Sequence, residues 1–320
     1  MAKYILKRIL LMLLTFLVIM IICFVMIKSL PLTPTEGLPE AQKLAIEARY
    51  RALGYYKPIL EQMGIYMKNI ITKWDWGTSF YIDYSKPAIS TLTSRLTPTI
   101  IINIYSLIFS IPLGVLLGIR AAVKKNRWQD TTISTGVMIF VSVPSYVYAF
   151  LVQYLLCFKW KWFPLTAYSL SEAGNSFWSG RMLYSYLPAI LSLSFGSIAG
   201  LARFVRAELT EALTSDYMLL ARAKGLTKNQ AIVRHALNNA MVPVLPSIIA
   251  SFVDIIGGSL IIEQIFAVPG VGALFIQAIN MRDYDVYMVC NGFYIFIGLA
   301  ASIIVDLSYG FIDPRIRMGE

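Results

Sequence analysis

Histidine occurs once in these 320 residues, cysteine three times, and Asp, Glu, Lys and Arg together make up only 14% of the chain. A lone histidine, His235, cannot build a histidine-rich metal site, so it reads as a contact or surface residue. Cys23, Cys157 and Cys290 all fall inside apolar stretches, where a thiol packs as a small hydrophobe, and the segments between those stretches have none left for a disulfide. No GxxxxGK[ST] run is present, so the chain is expected to bind no ATP itself. Neither HExxH nor GxSxG occurs, which removes the common hydrolytic arrangements. The expectation is a non-catalytic chain with no metal and no cofactor of its own.

What fills the space is oil. Hydrophobic residues make up 57% of the sequence and the mean hydropathy is positive, the composition of an integral membrane protein. The formal charge of +10 suggests anionic lipid as a neighbour, and nucleic acid is excluded as a partner because the basic residues lie between apolar spans. Residues 9–27 form the first apolar run. It is longer than a signal-peptide core and lacks a small-x-small cleavage site, so it reads as an uncleaved transmembrane helix. Further spans are expected at Thr97–Ile119, Thr131–Phe158, Leu187–Val205, Val242–Phe266 and Val286–Leu307, six in all. Lys3, Lys7 and Arg8, then Arg120, Lys124, Lys125 and Arg127, then Arg203 to Arg234, then Arg315 and Arg317 place both termini in the cytoplasm by the positive-inside rule.

The segment after the first span opens with Pro31, Pro34 and Pro39, which forbid a helix there, and then turns helix-compatible from Glu40 to Thr72. Trp74, Trp76, Phe80 and Tyr81 suggest a stretch lying at headgroup level. Within the spans, Pro98 and Pro188 are placed near helix N-termini, while Pro112 and Pro144 should kink their helices. The pairs Gly114/Gly118 and Gly196/Gly200 permit close helix approach. Three carboxylates stand out. Asp254 falls mid-span, Glu263 near the outer end and Asp306 near the inner end. A charge at the bilayer centre costs at least ~2.5 kcal/mol, so Asp254 should face protein or water, as a pathway residue or in a structural pair.

One polar insert, residues 211–243, reads as two short helices. Ser215 or Thr214 can cap the first, Gly225 can end it in the left-handed conformation, and Thr227 with Gln230 has capping-box spacing for the second, which should run to about Asn239. Val233, Leu237 and Ala240 share a face at helical spacing, and Arg222, Lys224, Lys228 and Arg234 keep the insert basic. Two helices around a turn also describe a DNA-binding unit, but the flanking spans hold this one at the bilayer. A plain structural loop remains the bland reading beside a docking knob for a cytoplasmic partner.

The residues Ala221-Arg222-Ala223-Lys224-Gly225-Leu226, followed by Arg234-His235-Ala236-Leu237-Asn238, resemble the cytoplasmic EAA loop of binding-protein-dependent ABC importer permeases, in the version of the dipeptide and oligopeptide branch. Leu219 stands where the Glu of the general pattern would be. The run Leu53-Gly54-Tyr55-Tyr56-Lys57-Pro58, then Gly77-Thr78-Ser79 and Arg95-Leu96-Thr97-Pro98-Thr99, is similar to the first outer loop of the B-type peptide permease. Glu263 through Tyr284 is similar to the family segment ExxFxxPGxGxLxxxAxxxRDYP, with Asp285 in place of its final Pro. Asp306-Leu307 through Arg317 resembles the ending DLxYxxxDPRIR.

The resemblance implies an all-α type I ABC importer permease fold. It divides the chain into a first transmembrane helix (1–30), an extracytoplasmic loop or cap (31–95), a five-helix core (96–310) carrying a coupling loop at 206–241, and a cytoplasmic tail (311–320). Leu219, Ala221, Arg222, Ala223, Lys224, Gly225, Leu226, Arg234, His235, Leu237 and Asn238 would couple to the ATPase. Asp254 would line the pathway. Glu263, Pro269, Gly270, Gly272, Arg282, Asp283 and Tyr284 would lie at the outer mouth, near the receptor. Implied partners are a homologous second permease, two ABC ATPases that use ATP and Mg, and an extracytoplasmic substrate-binding protein. The implied cargo is peptide. Nickel chelates or glutathione are alternatives within the branch, and an ion-coupled secondary transporter is the alternative from another class.

Overall fold

The computed structural model describes residues 2–30, 39–52, 54–254 and 259–312. Among them the structure is helical throughout, with a single isolated bridge between Thr78 and Pro87. α1 (Ala2–Lys28) is the first long apolar helix. α2 (Glu40–Ala52) and α3 (Ile59–Lys73) follow, where the helix-compatible stretch was expected, and Gly54 at φ +73 turns the chain between them. α4 (Ala88–Val123) and α7 (Gly180–Leu213) are much longer than the spans expected inside them. Pro98 and Pro188 therefore sit well inside their helices and not at the N-termini, because each span is preceded by a polar helical extension. Pro112 is likewise enclosed by an unbroken α4.

Pro144 acts more strongly than a kink. α5 (Trp128–Ser142) and α6 (Ser145–Val152), the latter continued by a π turn at Gln153–Lys159, meet at 103°. Pro144 lacks the N–H that would continue the ladder and pushes Val143 into an extended conformation. Among the described residues four helices are long and apolar enough to cross a membrane, or five if this bent pair is one span. The expected fifth span, Val242–Phe266, falls on α10 (Leu237–Asp254) and α11 (Leu260–Ile265), with residues 255–258 outside the described set. α12 (Val271–Asn280) and α13 (Tyr284–Ile312) complete the chain as described; Arg315, Arg317 and the rest of the tail lie outside it.

The axis of the fold is α4 against α7. A Cβ on Gly114 would meet Leu201 at 3.0 Å and the Ile198 carbonyl at 3.1 Å, and one on Gly118 would meet Val205 at 2.7 Å and the Ala202 carbonyl at 2.8 Å. Only glycine allows that approach, so this pair carries the close contact expected of it. The second pair splits: Gly196 abuts the Tyr148 hydroxyl, while Gly200 faces open space. Asp130 clamps α5 to α7 through Arg206, with Nε to Oδ1 at 2.6 Å and Nη2 to Oδ2 at 2.8 Å. Arg8 pairs with Asp306 at 2.8 Å, joining α1 to α13.

Candidate functional site

The polar insert folds much as its capping signals require. α8 (Asp216–Ala223) ends at Lys224, and Gly225 takes φ +89, giving Leu226 N–H to the Ala221 carbonyl at 3.3 Å. Thr227 and Gln230 form the reciprocal capping box: the Thr227 hydroxyl accepts from Gln230 N–H at 3.3 Å, and Thr227 N–H donates to Gln230 Oε1 at 3.0 Å. Ser215 occupies the N-cap position of α8, but its hydroxyl donates backwards to the Ala212 carbonyl at 2.6 Å and caps nothing.

The second helix departs from expectation. α9 (Lys228–Ala231) passes through a π turn at Ile232–Ala236 straight into α10, without ending near Asn239. The widened turn also shifts the buried face, which is Ala231, Ile232, Ala236 and Ala240, packed on Leu209, Met218 and Ala221. Val233 is instead 61% exposed, so the expected Val233/Leu237/Ala240 stripe is corrected.

Of the candidate coupling residues, Ala221 is buried in the hinge, Leu226 and Leu237 are half-buried, and Leu219, Arg222, Ala223, Lys224, Gly225, Arg234, His235 and Asn238 are exposed. Leu219 at 69%, Leu220 at 57% and Val233 give the tip an apolar surface. Basic side chains ring it. Helical spacing assigns Val233 to the packed face and passes over Leu220, although an apolar residue beside Leu219 in a basic segment is the available signal.

The end of the bundle opposite the insert is held by two carboxylate knots. Glu263 is fully buried. Its Oε1 accepts from the Thr99 hydroxyl at 3.0 Å, and its Oε2 accepts from the N–H groups of Gly272 at 2.8 Å and Ala273 at 3.1 Å; the Thr99 oxygen in turn accepts from Val271 N–H at 2.8 Å. A Cβ on Gly270 would overlap both Glu263 and Thr99, and one on Gly272 would meet the Ser259 carbonyl at 2.9 Å. Pro269-Gly270 thus delivers the start of α12 to a carboxylate set on α11.

In the second knot Asp283, also fully buried, accepts on Oδ2 from the Ser79 hydroxyl at 2.7 Å and from the N–H groups of Phe80, Tyr81 and Ile82 at 3.1, 3.0 and 3.2 Å. Asp285 accepts from Tyr55 at 2.7 Å and from Thr78 N–H at 3.0 Å, with Lys28 Nζ at 3.8 Å. Lys28 lies 3.4 Å over the Tyr55 ring. Burial, and then the Asp285 charge, push the Tyr55 phenol well above its ordinary range, so it remains a donor.

The residue that departs from the family segment, Asp285, therefore ties the outer cap to α13. Phe80 packs in the cap core with Ile46, Tyr50 and Tyr55, Tyr81 lies against that cluster, and only Trp74 of the expected headgroup aromatics is widely exposed. Of the residues expected at the outer mouth, Glu263, Gly270, Gly272, Asp283 and Tyr284 are buried. Pro269 is half-buried and Arg282 exposed. Asp254 is the last described residue of α10, and its side chain lies outside the described residues.

A membrane-embedded helical body, a capped basic knob with an apolar tip and a cap locked to the last helix are the parts of a transport permease. Residues 110–318 match the family described as binding-protein-dependent transport system inner membrane component, and the chain belongs to that family, the membrane permeases of ABC importers. It is a multi-pass protein of the bacterial plasma membrane.

The chain is 35% identical to the dipeptide transport system permease protein DppB of Lactococcus lactis subsp. cremoris (strain MG1363), over 99% of this chain and 100% of that one. It is 33% identical to DppB of Bacillus subtilis (strain 168), over 99% of each chain, and 30% identical to the glutathione transport system permease protein GsiC of Escherichia coli (strain K12), again over 99% of each. A solved amino acid ABC transporter chain overlays at a TM-score of 0.49 with 19% identity, covering 69% of this chain and 94% of that one.

Proposed function

We propose that this chain is the B-type permease subunit of an ATP-driven peptide importer. In this reading six spans adopt the type I arrangement with both termini in the cytoplasm, α10 and α11 supplying the fifth. A homologous second permease completes the pathway. Two ATPases bind ATP and Mg and grip the knobs of the two permeases, and a substrate-binding protein releases its cargo at the outer mouth. Closure of the ATPases moves the knobs, and the helices carry that motion outward in alternating access.

The observation that carries the reading is the knob: a glycine-hinged, capping-boxed turn with exposed Leu219, Leu220 and Val233, in a chain that aligns end to end with dipeptide permeases. Glutathione is the second cargo reading, favoured by the relatives named for it, and is itself a tripeptide. Membership of the family displaces the ion-coupled secondary transporter.

Affinity capture of the tagged chain from its native membrane, with mass spectrometry of what co-elutes, tests the assembly. A second permease and one or two ATPases are expected. Uptake of a labelled dipeptide that survives an ionophore but fails on ATP depletion tests the energy source. Recovery of the chain alone, under conditions that preserve other membrane complexes, would overturn the proposal.

A further inference from the structure

Halfway along α4 and α7 two serines meet. Ser106 Oγ and Ser194 Oγ lie 3.1 Å apart, both buried. One turn further on, the same helices present Ser110 and Ser197, and there the packing opens into a cavity of about 260 Å³ whose third wall is α10. Ser247 and Ser251, one turn apart, complete the polar lining, while Gly200, with open space where a Cβ would stand, and Phe204 shape the rest. Ser110 is 99% buried, since only 1% of it is exposed, and its hydroxyl has no hydrogen-bond partner among the described residues. A buried hydroxyl left unpaired costs about 1–3 kcal/mol, which marks a group kept for something outside the chain.

The other three hydroxyls are committed as donors. Ser247 donates to the Val244 carbonyl at 2.7 Å, Ser251 to the Ser247 carbonyl at 3.0 Å and Ser197 to the Leu193 carbonyl at 3.4 Å. A hydroxyl whose proton is engaged by its own helix still has lone pairs free. The cavity thus offers uncharged acceptors from two helices, α7 and α10, and one hydroxyl on α4, Ser110, able to donate or accept. No Asp, Glu, Lys, Arg or His is among its described lining residues.

We propose that this serine-lined cavity is a peptide-backbone subsite on the translocation route, which rests on the peptide-importer reading above. Its acceptors match amide N–H groups and its hydroxyl at Ser110 matches a carbonyl, so it recognises what all peptides share. The uncharged described lining keeps it indifferent to side-chain sign. At about 260 Å³ it falls just below the roughly 300–1,000 Å³ of sites that enclose a whole small ligand. It therefore takes a short extended stretch in passage and does not capture the cargo, leaving selectivity to the substrate-binding protein.

The test uses the complete transporter in cells and in lipid nanodiscs, with labelled dialanine as probe. Ser251→Leu fills the cavity and should abolish uptake while the ATPases still co-purify. The quadruple Ser→Ala variant keeps the space but removes the hydroxyls; at about 1 kcal/mol for each neutral hydrogen bond, even one lost contact slows uptake about fivefold. Ser251→Thr should restore uptake to near the parent level. In a chain with Cys23, Cys157 and Cys290 replaced by Ala, Ser251→Cys should react with a small cationic thiosulfonate, and dialanine under ATP turnover should slow that reaction. Parent-level uptake in both Ser251→Leu and the quadruple variant, or a cysteine that is unreactive or unprotected, would overturn the subsite. A parent complex that imports neither dialanine nor glutathione would instead sink the peptide-importer reading itself.

Discussion

Replacing Glu263 by Ala should unlock the outer mouth. The substitution removes the acceptor for the Thr99 hydroxyl and for the N–H groups of Gly272 and Ala273 in a fully buried setting. Each orphaned donor costs about 1–3 kcal/mol; the hydroxyl can turn to its own helix, so two N–H groups dominate and the total is roughly 2–5 kcal/mol. Glu263→Gln keeps the volume and one acceptor oxygen, so its cost should be about half as large, roughly 1–2 kcal/mol. The assay is a thermal melt of the detergent-solubilised chain followed by fluorescence-detected size exclusion, with the parent alongside. At roughly 2–4 °C per kcal/mol for chains of a few hundred residues, the Ala variant should lose on the order of 5–15 °C and the Gln variant a few degrees. Gly270→Ala, which drives a methyl group into the same knot, should resemble Glu263→Ala, and the double variant should cost less than the sum because both break one network. Equal melting points for the parent and Glu263→Ala would refute the claim that this carboxylate holds the Pro269-Gly270 turn against α4.

Other substitutions probe other joints. Gly225→Val meets no steric neighbour but forces a β-branched residue to φ +89, so the chain should insert normally while ATPase co-purification falls; unchanged capture and transport would count against the hinge. Asp130→Ala and Arg206→Ala should each destabilise the detergent-solubilised chain by about 3 kcal/mol by leaving the partner charge unpaired, with the double mutant well short of additive; additive losses would mean the pair does not act as a unit. Gly118→Leu should separate α4 from α7 and sharply lower the yield of folded protein, whereas Gly200→Ala, facing open space, should be tolerated. Equal yields from those two would contradict the close approach at Gly118.

Much of this was legible in the sequence because local chemistry decides it. The capping box at Thr227 and Gln230, the left-handed Gly225 and the break at Pro144 each depend on residues within one turn of chain. What local reading could not supply came from residues far apart. Asp283 and Asp285 find their partners some two hundred positions upstream, and Asp130 finds Arg206 across 76 residues. The π turn at Ile232–Ala236 reset the phase of the buried face, so an ideal helical period placed Val233 on the wrong side. The serine cavity was invisible for a related reason: four hydroxyls on three helices have no spacing to detect.

The two outer knots also set a timetable. Ser79 and Asp283 are separated by 204 positions, and Thr99 and Glu263 by 164. At ribosomal rates of roughly 5–20 residues per second, the cap emerges about 10–40 s before the aspartate that will fasten it exists. During that interval the N–H groups of Phe80, Tyr81 and Ile82 have no Asp283 to bind. A chain released short of residue 283 never closes its cap, so the last helix serves as a signature that synthesis was finished.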